Sequence, residues 1–141
     1  MDLSILLVQY RPDEGELRRT LASLLRQSCR DFELVVADDG SDEDFFPLTR
    51  KILAENGFTG AKFVKLIPNG GTVKNVLNGA KQAAGKWVFT VSPGGLSLRR
   101  RHGGVAAGGL APRCPAGRLW PPGLLRRPER RPGPATRRRA V

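Results

Sequence analysis

Two adjacent acidic side chains, Asp38 and Asp39, directly follow a short apolar segment of the chain. Carboxylates at the end of a strand can accept hydrogen bonds from a base or a ribose, or help to hold a cation. The same residues can equally satisfy a turn at Gly40 and cap the following helix. The spacing alone does not decide between a ligand site and a structural turn.

A second pattern that could bind a ligand is the glycine pair Gly70-Gly71, which is followed by Lys74. If a helix begins after the glycines, its free backbone N–H groups can approach an anion, and the lysine adds positive charge to the first turn. A glycine turn followed by a solvated lysine is the commoner use of these residues. An anion site here is therefore a hypothesis.

The elements that must position these residues alternate between strand and helix. Continuous apolar runs predict strands over residues 3–8, 32–37, 62–67 and 86–91, and helical spacing predicts helices over about 13–27, 44–55 and 72–85. Thr72 is expected to cap the third helix and Gly85 to end it. The apolar positions expected to share one face of that helix are Val73, Val76, Leu77, Ala80 and Ala84.

This β-α-β-α-β-α-β order predicts an α/β fold with an open parallel sheet. In such sheets the loops at the carboxyl ends of the strands gather at one edge, where ligands bind. Four groups of residues are expected to meet there, namely residues 8–11, 38–39, 70–75 and 92–93.

Several other classes of protein are disfavoured by the same residues. No G-x-G-x-x-G follows the first strand, which argues against a dinucleotide-binding domain. A receiver-type signalling domain has the right order of elements but needs an acid after the third strand, where residues 67–69 read IPN. No apolar run approaches the roughly 20 residues of a membrane span, and no basic segment precedes the first strand, so we expect a cytoplasmic protein.

The charge of the chain is concentrated at one end. The chain has 24 Lys+Arg, 13 Asp+Glu and a net charge of +11, yet residues 1–93 are neutral and residues 94–141 hold 12 Arg against a single acid, Glu129. Because Arg, Gly, Pro and Ala dominate residues 94–141, we expect a disordered tail after a domain over residues 1–93. One explanation of the tail is a shifted reading frame, since the codons of these residues are rich in G and C. The other explanation is an arginine-rich arm that binds nucleic acid or an anionic surface.

Four sequence blocks in the neutral segment occur in a familiar order. They read SILLVQYR at residues 4–11, LASLLRQS at 21–28, DFELVVADDGS at 31–41 and NGGTVKN at 69–75. Together they resemble the N-terminal half of family 2 glycosyltransferases, over residues 3–93. The resemblance implies a partial GT-A fold, which is Rossmann-like, a nucleotide-diphosphate-sugar donor of the uridine type, and a divalent metal, Mg or Mn.

The resemblance also implies roles for individual residues. Val8 and Tyr10 correspond to the loop that lies against the nucleotide, and Asp39 corresponds to the carboxylate that reads the uracil edge. Asp38 would support that turn. Lys74 stands where an arginine commonly contacts the donor phosphates, in the segment that begins with Gly71 as part of the candidate anion site.

One part of the family pattern is missing. The family places a metal-binding acidic motif after the fourth strand, where this chain reads SPGGL at residues 92–96, and the acceptor-binding half with its catalytic base has no counterpart. We therefore nominate no catalytic residue and no metal ligand. We expect an intact parent to transfer a sugar to a glycan or surface polymer, and this chain to be truncated and inactive.

Overall fold

The elements alternate in the predicted order. A computed structural model describes residues 3–26 and 30–94, and the backbone of residues 125–126. The elements are β1 (Leu3–Gln9), α1 (Glu14–Leu25), β2 (Glu33–Asp38), α2 (Phe46–Glu55), β3 (Lys62–Lys65), α3 (Thr72–Gln82), β4 (Trp87–Val91) and β5 (Leu125–Arg126). Their bounds differ from the predicted ones by up to three residues.

The strands form one sheet in the order β3-β2-β1-β4-β5. The pairs β1·β2, β2·β3 and β1·β4 are parallel, which confirms the predicted open parallel α/β sheet. The strand order reverses at β1, because β2 lies on one side of it and β4 on the other. An open sheet has its binding crevice at such a switch point, outside the carboxyl ends of the strands.

Helices cover both faces of the central strands, which explains why β1 and β2 are apolar along nearly their whole length. On one face the leucines of α1, at positions 17, 21, 24 and 25, and Ile52 and Leu53 of α2 pack against Leu3, Ile5 and Leu7 of β1. On the other face Val76 of α3 packs against Leu6, Val8, Val35 and Ala37. Each Leu, Ile or Val among these side chains contributes about 1.5–3 kcal/mol when it is fully buried.

The predicted apolar face of α3 is buried only in part. Val76 packs on the sheet, but Val73 and Leu77 are 73% and 58% exposed, whereas Asn75 and Gly79 are buried. A Cβ at position 79 would lie only 2.4 Å from Leu6 Cδ1, so the absence of a side chain lets α3 approach the sheet. Close approach at the glycine turns the apolar positions Val73 and Leu77 towards solvent.

The predicted ends of α3 also need correction. Gly71, with φ 90°, is the N-cap residue and Thr72 is the first helical residue, so no side chain caps the helix. The helix ends at Gln82 instead of continuing to Gly85. The N–H of Gly85 instead donates to Ser4 Oγ, 2.9 Å away, which draws the chain towards β1 before β4 begins.

A buried carboxylate ties the amino edge of the sheet together. Glu33 of β2 accepts hydrogen bonds from Ser4 Oγ and, at 2.8 Å, from the N–H of Ala84, and it pairs with Lys62 of β3. Burial raises the pKa of Glu33, but the hydrogen bonds from Lys62, Ser4 and Ala84 outweigh it and leave the pKa below its ordinary value. The ionised form of Glu33 therefore stabilises the fold.

The prediction of a disordered tail over residues 94–141 lies outside the described residues, except at Gly94 and at residues 125–126. There the backbone of β5 pairs antiparallel with β4, a strand that the sequence did not predict. Within the part of the chain that the structure describes, no helix has the length and apolar character needed to cross a membrane.

Candidate functional site

A cleft of about 410 Å³ opens at the carboxyl edge of the sheet, beside the ends of β1 and β4. Its position is the switch point between these two strands. The residues that line it come from the β1–α1 connection and the first turn of α1, from the end of β2, from the start of α3 and from the end of β4: Val8, Gln9, Tyr10, Arg11, Pro12, Asp13, Glu16, Asp39, Thr72, Asn75, Thr90, Val91, Ser92 and Pro93. The four segments predicted to meet at this edge are therefore all represented.

The loop after β1 presents an aromatic ring to the cleft. Tyr10 is 45% exposed, and the Arg11 guanidinium lies 5.1 Å from the centroid of its ring. Arg11 adopts a left-handed backbone conformation, with φ 44°, and its N–H donates to Ser41 Oγ at 2.9 Å. Its guanidinium also pairs with Asp42 at 2.6 Å. These contacts fix Arg11 over part of the Tyr10 ring, and the exposed remainder of Tyr10 is surface that a planar ligand could contact.

Asp38 takes part in the turn after β2. It is 1% exposed, and its two oxygens accept from the N–H of Ser41 at 2.7 Å, from Ser41 Oγ at 2.8 Å and from Gln9 Nε2 at 3.3 Å. Its side chain does not line the cleft. For Asp38, the structural interpretation of the acidic pair is the one that the geometry supports.

Asp39 differs from its neighbour because it lines the cleft while remaining only 5% exposed. Its Oδ1 accepts from the N–H of Gly70 at 2.8 Å, and its backbone carbonyl accepts from Asn69 Nδ2 at 2.8 Å. The connection between β3 and α3 is thus fastened to the end of β2 through Asp39. The carboxylate is held in one orientation at the wall of the cleft.

The predicted anion site at the start of α3 is only partly brought to the cleft. Thr72 and Asn75 line it, whereas Gly71 and Lys74 do not. Lys74 is exposed. Of the six residues nominated for ligand binding, the cleft therefore brings together Val8, Tyr10 and Asp39.

Two buried amide side chains lie at the cleft with an oxygen that has no hydrogen-bond partner. Gln9 is 3% exposed and Asn75 is 2% exposed. Gln9 Nε2 donates to Asp38 and Asn75 Nδ2 donates to the carbonyl of Ala37 at 2.9 Å, but Gln9 Oε1 and Asn75 Oδ1 are unpaired. Within the described residues these are the buried side-chain oxygens that remain unsatisfied.

Sequence reasoning did not place the first turn of α1 at the site. Asp13 caps that helix by accepting from the N–H of Glu16 at 3.0 Å, and both acids also line the cleft. The chain leaving β4 passes close to Glu16, since a Cβ placed on Gly94 would lie only 2.8 Å from Glu16 Oε2. The available signal was the shortness of the link between β1 and α1, which forces the helix start to the same edge of the sheet.

The described residues do not fit the divalent metal that the resemblance implies. Among them, no three His, Cys, Asp or Glu side chains are grouped so that they could hold a metal ion. The segment leaving β4 offers Ser92, Pro93 and Gly94, none of which has a carboxylate. Two of the cleft acids, Asp13 and Asp39, each already accept a backbone hydrogen bond. We therefore assign no reaction step to a metal.

Comparison with solved structures gives matches that cover 66% of this chain. S. aureus TarS is 27% identical with a TM-score of 0.52, and the chain covers 16% of it. TarS 1-349 in complex with UDP is 26% identical with a TM-score of 0.50, and its complex with UDP-GlcNAc is 28% identical with a TM-score of 0.51. The chain spans 27% and 26% of those two structures, which is about a quarter of their length.

Comparison with curated protein sequences finds no match. The sequence model of Glycosyl transferase family 2 matches residues 4–92, which is more than half of the chain and contains all four strands of the parallel sheet. The fold, the position of the cleft and the family match agree over the same residues. The chain therefore belongs to glycosyl transferase family 2.

Proposed function

We propose that the cleft at the carboxyl edge binds the nucleotide of a uridine-diphosphate sugar. The observation that supports this most directly is the meeting of Tyr10 and Asp39 in one cleft at the switch point of the sheet. The structures of TarS with UDP and with UDP-GlcNAc, from the same family, support the choice of nucleotide.

In the proposed complex the uracil ring stacks on Tyr10. An aromatic side chain that stacks on a base typically contributes about 1–3 kcal/mol. The Asp39 carboxylate accepts a hydrogen bond from the N3–H of uracil. A hydrogen bond to a charged acceptor is about twice as strong as one between neutral groups. Because Asp39 is already anchored by Gly70 N–H, little ordering is needed when the base binds. Lys74 and the N–H groups after Gly71 are proposed to attract the diphosphate from the rim.

The family relationship supports transfer of the sugar to a glycan or surface polymer as the activity of a complete protein of this type. For this chain we propose binding of the donor without transfer. The reason is that residues 92–96, SPGGL, place no carboxylate where charge developing on the leaving diphosphate must be neutralised. Clear metal-dependent turnover of a nucleotide-sugar by the purified chain would contradict this part of the proposal.

Calorimetric titration with UDP tests the binding proposal. We expect saturable binding by the full chain and a loss of about 10- to 100-fold in affinity for Asp39→Asn. Asn keeps an oxygen for the N–H of Gly70 but replaces the other carboxylate oxygen by a donor, which cannot accept from uracil.

The matched control is Asp31→Asn, which removes the same charge at an exposed position outside the cleft. Its UDP affinity should stay within about twofold of the wild-type value. Equal losses in the two variants, or the absence of UDP binding by the wild-type chain, would refute the nucleotide site.

A second candidate function is binding of nucleic acid or an anionic surface through residues 94–141. The observation that favours it is that the whole net charge of +11 lies in this segment. Binding of this kind should weaken steeply as salt rises, and replacing the arginines at 99–101 and 137–139 by glutamine should reduce that salt dependence.

A further inference from the structure

The two unpaired oxygens, Gln9 Oε1 and Asn75 Oδ1, need an explanation that the fold does not supply. Both side chains are more than nine-tenths buried, and both residues line the cleft. A buried polar atom without a partner is unfavourable and uncommon in native proteins. The missing partners must be donors, because both atoms are amide carbonyl oxygens.

The orientation of each amide is fixed by its neighbour. Gln9 faces the Asp38 carboxylate, which can only accept, so the NH₂ group of Gln9 must point to it. Asn75 faces the backbone carbonyl of Ala37, which also can only accept. Turning either amide round would bring two acceptors together. Each oxygen is therefore held on the side away from its partner.

The two oxygens flank the end of β1 from opposite faces of the sheet. Side chains alternate along a strand, and Leu7 packs with α1 while Val8 packs on the α3 side. Gln9, two residues after Leu7, belongs to the α1 side, whereas Asn75 belongs to α3 itself. A ligand that lies across this edge can thus meet one acceptor on each side.

The acidic side chains of the cleft are also hydrogen-bond acceptors, like the two amide oxygens. Asp13, Glu16 and Asp39 also line it, and the side-chain donors of Gln9 and Asn75 are already engaged. Its buried side chains therefore present acceptors to a ligand, which favours a ligand that brings its own N–H and O–H groups. A nucleoside diphosphate has such groups at the N3–H of uracil, for which Asp39 is the proposed acceptor, and at the 2′ and 3′ hydroxyls of the ribose.

We propose that Gln9 and Asn75 are specificity-determining residues, each of which accepts a hydrogen bond from a ribose hydroxyl of the bound nucleoside diphosphate. This inference rests on the proposed function, because it requires the nucleotide to occupy the cleft. To the proposed contacts of Tyr10 and Asp39 it adds two hydrogen-bond acceptors, one on each side of β1, for the donor groups of the ligand.

The test is calorimetric binding of four ligands to the full chain: UDP, 3-methyl-UDP, 2′-deoxy-UDP and 3′-deoxy-UDP. The variants are Gln9→Met and Asn75→Leu, which keep similar volume and remove the acceptor. In the wild-type chain, an analogue that lacks a recognised donor should bind about tenfold more weakly than UDP. In the variant that lacks the matching acceptor, UDP and that analogue should bind within about twofold of each other.

The ratio of the UDP affinity to the affinity for each analogue distinguishes ligand recognition from a structural role. Loss of the amide NH₂ contact to Asp38 or Ala37 would weaken all four ligands equally and leave the ratios unchanged. If both variants keep every wild-type ratio, the oxygens bind water only and the inference is wrong, although UDP binding itself would stand. If the wild-type chain binds none of the four ligands, the proposed function and this inference both fail.

A measurement on the wild-type chain covers the case in which a variant does not fold. The side-chain carbonyl ¹³C resonances of Gln9 and Asn75 should shift when UDP is added, and each should shift less with the analogue that lacks its donor. Resonances that respond identically to all four ligands would overturn the inference.

Discussion

Replacing Gly40 by Ala is expected to destabilise the protein by about 3–5 kcal/mol and to weaken UDP binding more than about tenfold. Gly40 has φ 71°, and a Cβ there would lie 2.7 Å from the backbone N of Asn69 and 2.8 Å from the carbonyl oxygen of Leu66. Because both neighbours are backbone atoms, the connection between β3 and α3 must move. That movement would break the bond from Gly70 N–H to Asp39 that orients the carboxylate.

Gly60→Ala is the matched control for the backbone strain. Gly60 has φ 85°, but a Cβ there would meet nothing within 4 Å. It should therefore cost only the strain of a left-handed backbone, about 1–2 kcal/mol, with UDP affinity unchanged. Urea unfolding and UDP titration of both variants measure the difference. If Gly40→Ala is no more destabilising than Gly60→Ala, the close packing at Gly40 does not hold the site.

Glu33→Gln is expected to lower the free energy of unfolding by about 2–4 kcal/mol at pH 7. The substitution removes the charge that pairs with Lys62. Because Ser4 Oγ and the N–H of Ala84 both donate to Oε2, the amide oxygen can keep that place, but the new NH₂ group then faces Lys62 Nζ, so that two donors meet. The control is Glu43→Gln, which changes an exposed acid and should cost about 0.5 kcal/mol or less.

The effect of Glu33→Gln should depend on pH. The pKa of Glu33 is lowered in the folded state, so its contribution is complete above the unfolded pKa, about 4.5, and is lost as the pH falls through the folded value. Urea unfolding at pH 7 and at pH 3 should therefore show a smaller difference between wild type and Glu33→Gln at the lower pH. An equal difference at both pH values would show that the ionised carboxylate is not what stabilises this edge.

The layout of the sheet could be predicted because each element has a strong local signal. Apolar runs bounded by Gly, Pro and Asp give the strands, and the spaced leucines with Asp13 give α1 and its cap. From these, the parallel sheet and the edge at which the loops meet follow by general topological rules. The family match over residues 4–92 covers this same part of the chain.

The details of α3 could not be predicted from periodicity. Val73 and Leu77 have the spacing of a buried stripe, but the helix packs through Asn75, Val76 and Gly79 instead. What decides this is how closely Gly79 can approach Leu6, which is a property of two distant segments. A hydrophobic pattern does not contain that distance.

The acidic pair shows the same limit at the site. Asp38 and Asp39 were compatible with a turn, with a ligand site or with both. The structure separates them: Asp38 accepts from Ser41 within the turn, while Asp39 lines the cleft. The spacing alone could not assign these two roles, because the register of Asp38 against Gln9 becomes known only once β1 and β2 are paired. Before the structure, only the family resemblance distinguished the two residues.

The most direct test of the central claim, that the carboxyl-edge cleft binds a nucleoside diphosphate, is a map of backbone amide resonances during titration with UDP. We expect saturable shifts at Tyr10, Asp39 and Asn75, with little change at Glu33 and Ala84 on the opposite edge of the sheet. Shifts confined to residues outside the cleft, or no saturable shift at millimolar UDP, would contradict it.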